Sequence, residues 1–202
     1  MTLLASVGHA QALDGREAGL QAAHHALNKL GAASPSLALV VSSHQYQPRE
    51  VASGVSSLLG DAPLIGFSAP AGLTSDGLHP HSVVVALLSG DFQAEAHWLP
   101  GYAQSGRETA TRLMSLVNTR SEPQSLLFFA DGFNGDAEQL CSGLLNNLTL
   151  AGALSSGDLH TGSTYQMSGV QTGSGALTAA LLRGNLRMGV GFAHGWNPVG
   201  SQ

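Results

Sequence analysis

Four short polar stretches carry most of the side chains in this chain that are able to do chemistry. Ser42, Ser43 and His44 follow an aliphatic run, and Gly66, Phe67 and Ser68 follow the Leu64-Ile65 pair. Asp131 and Gly132 follow another aliphatic run, and Ser155 and Ser156 end the stretch that begins at Leu150. Serine hydroxyls donate and accept hydrogen bonds, and glycine lets a ligand approach the backbone. Asp131 suits an ammonium group, and Phe67 offers an apolar wall. Such a set is what a small polar ligand needs: a few fixed hydrogen-bond partners against an apolar surface. The same residue types also make turns, bulges and tight bends, and that plainer reading stands beside the pocket. Neither glycine stretch follows the G-x-G-x-x-G or Walker pattern, so nucleotide binding has no motif behind it.

Nine histidines raise the question of metal or haem. His24 and His25 sit side by side on a helix and point to different faces, so they do not chelate one ion together. His79 and His81 form an H-x-H pair with no third ligand nearby, and zinc spacings and Cys-x-x-Cys-His are absent. One axial histidine is enough for non-covalent haem. His44 is the first candidate by its position and His194 the second. Cys141, the single cysteine, reads as a small buried apolar residue of a helix. Thr2, once Met1 is removed, is a candidate N-terminal nucleophile with its own α-amine as base, as in N-terminal-nucleophile hydrolases. No acid, base and nucleophile cluster together, so the chain is expected not to be an enzyme.

Local signals set out the elements that must position these groups. Asp14 and Glu17 form a capping box before a helix with Leu20, Ala23, Leu27 and Leu30 at helical spacing, and Gly31 stops it. Leu37 to Val41 is a buried strand. Pro48 opens a second helix ending near Gly60, and Leu64-Ile65 begins another strand. Val83 to Leu88 and Gln93 to Leu99 are expected to pair as a hairpin across Ser89 to Phe92. The order then repeats. Ser105 and Glu108 box a helix, Leu126 to Phe129 is a strand, Asp136 caps a helix to about Leu148, and Leu150-Ala151 opens a strand. Leu177 to Leu182 and Leu186 to Phe192 are expected to form a second hairpin.

Residues repeat with the order. Gly15-Arg16-Glu17 matches Gly106-Arg107-Glu108, Ala52-Ser53-Gly54-Val55 matches Cys141-Ser142-Gly143-Leu144, and Leu87 to Asp91 matches Leu181 to Asn185. By this reading Ser42, Ser43 and His44 correspond to Asp131, Gly132 and Phe133. The expected fold class is therefore α/β (α+β), with two pseudo-repeated halves at about residues 1–100 and 103–195. Each half carries a mixed β-sheet whose second face needs an apolar partner, which points to an αββα sandwich with helices outside, with a single doubly wound sheet as the alternative.

Composition narrows the role. Apolar residues make up 43% and charged residues only 10%, with a net charge of −5. The 8 basic residues are dispersed, so the electrostatic footprint of nucleic-acid binding is missing. No apolar run reaches the roughly 20 residues of a membrane span. The N-terminus lacks the positive region of a signal peptide. With one cysteine, a cytoplasmic protein is expected.

Several motifs, in order, resemble the FIST N-terminal domain: Val7-Gly8-His9, Ser42-Ser43-His44, Pro63 to Ser68, Ala130 to Phe133, Ala151 to Asp158, and the closing stretch His194 to Gly200. The resemblance implies a sensory domain of bacterial signal transduction that binds a small ligand, such as an amino acid or a similar polar metabolite. The alternative it implies is a haem-binding nitric-oxide sensor, and otherwise no cofactor is expected. It further implies one domain over residues 1–202, with a C-terminal FIST domain expected after residue 202. A signalling output partner such as a histidine kinase or cyclic-nucleotide enzyme is expected too. Where many members carry a cysteine after the Ile-Gly pair, this chain has Phe67, so haem would have to use a histidine.

Overall fold

The computed structural model describes residues 3–117, 124–144, 148–191 and 199. The helices start where local chemistry places them. Asp14 accepts from the Glu17 N–H to cap α1 (Gly15–Leu30), and Gly31, at φ 74°, ends it. Pro48 opens α2 (Pro48–Leu59). The Ser105 hydroxyl accepts from Glu108 N at 3.2 Å before α3 (Gly106–Val117). Asp136 caps α4 (Ala137–Gly143), which is shorter than the helix to Leu148 expected from sequence. Leu140 and Leu144, one turn apart, are its buried anchors, and Cys141 beside them is turned outward and exposed. The expected burial of Cys141 is thus corrected.

Among the described residues, ten strands build two large sheets. The first has the order β1 (Leu4–Ala10), β6 (Val83–Ser89), β2 (Leu37–Ser43), β3 (Leu64–Ala69), β10 (Gln166–Ser168), β11 (Gln171–Gly173). The second has the order β7 (Phe92–Leu99), β12 (Leu177–Gly184), β8 (Gln124–Asp131), β9 (Thr149–Ser155). A separate hairpin joins β4 (Ala71–Thr74) to β5 (Gly77–Pro80). The order β1-β6-β2-β3 has the same directions as β7-β12-β8-β9: two antiparallel pairings, then a parallel one.

Three apolar layers make the expected αββα sandwich. Ala18, Ala22 and Val51 of α1 and α2 pack on Val40, Val85 and Leu87 of the first sheet. Leu113 and Leu140 of α3 and α4 pack on Leu126 and Leu181 of the second. Leu37, Ile65, Phe92, Ala180 and Leu182 fill the space between the sheets.

Both expected hairpins fail for one reason. β6 has β1 on one edge and β2 on the other, so β7 has no edge of it to join and crosses to the second sheet. Likewise β12 is taken on both sides by β7 and β8, and residues 186–191 form no strand. The chain therefore crosses from the first sheet to the second at Gly90-Asp91, before β7, and returns to the first sheet at β10 and β11.

The repeated glycines prove to be packing residues. A methyl group on Gly54 would fall 2.1 Å from the Arg16 carbonyl oxygen, and one on Gly143 would fall 2.6 Å from Ala110 Cβ. Gly54 and Gly143 thus let α2 press on α1 and α4 press on α3. In the parallel ladders Gly66 faces Val40 and Gly152 faces Phe128. A methyl group there would lie 2.5 Å and 2.7 Å from those carbonyl oxygens. The ladders also shift one correspondence. Leu88 faces Leu37, and Leu182 faces Ser125. If Leu88 is aligned with Leu182, the registers set Asp131 level with Ser43, and Gly132 with His44, one residue from the sequence reading.

Candidate functional site

The ends of β2, β3, β8 and β9 meet in one hydrogen-bonded network that joins the two halves. Ser68 Oγ donates to Ser156 O at 2.9 Å and accepts from Tyr165 N at 2.9 Å. The Tyr165 hydroxyl reaches Ser42 Oγ and Ser43 O, each at 2.8 Å. Gln166 Nε2 donates to Ser155 Oγ at 2.7 Å, while its Oε1 accepts from Ala176 N. The strand end at β8 comes close enough to β9 that a methyl group on Gly132 would fall 2.2 Å from Ser155 O.

Asp131 is buried at the centre of its own turn. Its Oδ1 accepts from the N–H groups of Phe133 and Asn134, each at 2.9 Å. Its Oδ2 accepts from Gly175 N at 2.7 Å and Ser174 Oγ at 3.0 Å. Burial pushes the carboxyl pKa upward. The hydrogen bonds from Gly175, Phe133 and Asn134, with the Thr164 hydroxyl nearby, more than reverse that and hold it at about 2. Asp131 is therefore ionised and saturated by its own chain.

The predicted site residues thus converge, but they divide by exposure. Ser42, Ser43, Ser68, Ser155 and Asp131 are buried, and Gly66 sits inside the sheet. Phe67 lies between the sheets, its ring 4.4 Å from that of Phe129. His44 and Ser156 are half-buried and Gly132 is exposed. His44 Nδ1 is a buried polar atom with no hydrogen-bond partner, and so is the Tyr102 hydroxyl. Burial, then the Asp131 and Asp136 carboxylates, push the Tyr102 phenol up to about 12, so it keeps its proton. A methyl group on Gly157 would meet Ser163 O at 2.0 Å and His44 Cβ at 3.1 Å, so the loop between β9 and β10 lies directly against His44.

Tyr165 and Gln166, which tie the serines together, were not legible as site residues. The one local mark near them in the sequence is Gly169, which the structure shows turning, at φ 56°, between Gln166–Ser168 and Gln171–Gly173.

The other chemistry considered in the sequence is accounted for differently. The His79 ring stacks on His9 at 3.9 Å, and the His81 ring lies tilted against Tyr46 at 4.6 Å. Among the described residues no group of three metal-ligating side chains comes together. His194 and Thr2 lie outside the described residues. Haem needs an axial ligand beside an apolar slot. The apolar cleft between the sheets, about 370 Å³, has no histidine among its described lining residues. No described helix is long and apolar enough to cross a membrane.

The family model for the FIST N domain matches residues 36–202, from the start of β2 onward. No curated protein matches the chain.

Proposed function

We propose that this chain, which belongs to the FIST N domain family, is a sensory domain that reports a small polar ligand held where the strand ends of its two halves join. The observation that carries this is the unpartnered Nδ1 of His44, set against a loop that is hydrogen-bonded to both halves. Buried polar atoms without partners are rare in folded proteins. The exposed and half-buried residues His44, Gly132 and Ser156 face the ligand. Ser42, Ser43, Ser68, Ser155 and Asp131 form the rigid frame behind them, and Gly66 and Phe67 carry its apolar side. The loop of residues 156–164 touches Ser68 in one half and Asn134 in the other. It is the natural relay to a C-terminal FIST domain and an output partner, such as a histidine kinase or cyclic-nucleotide enzyme. The free, exposed Cys141 fits a reducing cytoplasm.

An amino acid is the first ligand class to test, as a panel in thermal unfolding against the intact chain and His44→Ala. At a hundredfold excess over Kd a ligand adds about 2.7 kcal/mol, or about 5–10 °C in Tm for a chain of this size. The expected result is such a shift for a subset of the panel, lost in His44→Ala. No shift across the panel, or one that His44→Ala leaves intact, refutes the assignment.

A further inference from the structure

Beyond the apolar contacts that press the sheets together, a cleft of about 370 Å³ opens between them. Leu39, Val41, Val84 and Ala86 of the first sheet form its floor. Phe129 of the second sheet closes one wall, and Leu73, Thr74 and Ser75 of the β4–β5 hairpin form the roof. None of the described residues that line it is ionisable. An ion entering such a cleft gives up its hydration for no partner. An uncharged, mainly apolar molecule gives up only its unfavourable contact with water. The volume lies within the range of small-molecule sites, and the Thr74 and Ser75 hydroxyls can orient one polar end.

The hairpin is fastened at its base and free above the cleft. A methyl group on Gly72 would fall 2.3 Å from Val84 Cγ2, so the base of β4 rests directly on the first sheet. On β5, His79 stacks on His9 of β1 and shares a 2.8 Å hydrogen bond with Thr74 Oγ1. The Pro80 carbonyl accepts from Gln11 Nε2 at 2.6 Å. Leu73, which roofs the cleft, is nonetheless 75% exposed, and its cross-strand neighbour Leu78 is 68% exposed. Filling the cleft would bury apolar surface that Leu73 now shows to water.

We infer that this cleft binds an uncharged, largely apolar small molecule, with the β4–β5 hairpin as its cover. It lies beside the polar strand-end site and takes a different class of ligand. Indole and 1-hexanol are suitable probes, with indole-3-acetate and hexanoate as their charged counterparts. Each is titrated into the full chain by calorimetry and ligand-observed NMR. The uncharged probes are expected to bind, and the charged ones to bind at least about tenfold more weakly. Ala86→Phe fills the cleft and should abolish binding, whereas His44→Ala should leave it unchanged. If Ala86→Phe does not fold, Leu73→Asp on the exposed roof decides, with an expected weakening of at least about tenfold. The inference is overturned if neither uncharged probe binds or if the charged probes bind equally well. Binding that persists in the decisive variant, or that is lost in His44→Ala, overturns it as well.

Discussion

Removing the Asp131 carboxylate should unfold part of the strand-end frame rather than merely weaken a ligand. In Asp131→Ala the N–H groups of Phe133, Asn134 and Gly175 lose their acceptor together. An unsatisfied donor costs about 1–3 kcal/mol when buried. Asn134 is exposed, and Phe133 and Gly175 are half-buried, so water relieves part of the loss. The low end, about 1 kcal/mol for each, gives about 3 kcal/mol in total. Asp131→Asn keeps one acceptor oxygen but loses the charge. The carboxyl is held at about 2 against an ordinary 3.8, which corresponds to about 2 kcal/mol. For a chain of this size these losses lower Tm by about 6–12 °C and about 4–8 °C. Urea denaturation followed by circular dichroism, with Tm measured in parallel, tests both variants. A loss below about 1 kcal/mol in Asp131→Ala would refute the structural role. It would return Asp131 to the part of a ligand's ammonium partner.

Stability should also fall as pH falls, in two stages. His9 titrates below its ordinary value because of burial and the neighbouring His79, with Lys29 and His25 adding to this and Asp76 opposing it. His97 is likewise lowered, chiefly by burial, with Glu95 opposing and Arg183 adding to it. For both, the unfolded chain takes up the proton first, so stability declines as pH drops through about 6.5. Asp131 contributes fully above about 4, and its share is lost as pH falls toward about 2. Urea midpoints at about pH 7.5, 5.5 and 3.5 should decrease in that order, and a midpoint that rises on acidification contradicts the assignment. Gly54→Ala should cost about 1–3 kcal/mol, because the added methyl meets the Arg16 backbone oxygen at 2.1 Å. The exposed neighbour Ser53→Ala should stay within about 0.5 kcal/mol, and equal effects at the two positions would show that α1 and α2 separate freely.

What the sequence determined by itself is what depends on neighbours a few residues away. Asp14, Ser105 and Asp136 start helices because each side chain caps an N–H three residues on, and Gly31 and Gly60 stop helices through their own φ. The aliphatic runs at Leu37 and Leu126 are strands because both faces are covered. The repeated Gly15-Arg16-Glu17 and Ser-Gly pairs were legible as a pattern, and their reason is helix against helix. Tertiary structure decided which edges were already occupied. β6 and β7 look like a hairpin until β1 and β2 take both sides of β6. Only the fold brought Tyr165, the residue before β10, back to Ser42, 123 residues away in the chain, and so made buried frame of serines that the sequence placed around a ligand. Burial of a polar residue depends on partners distant in sequence, and local spacing does not carry that information.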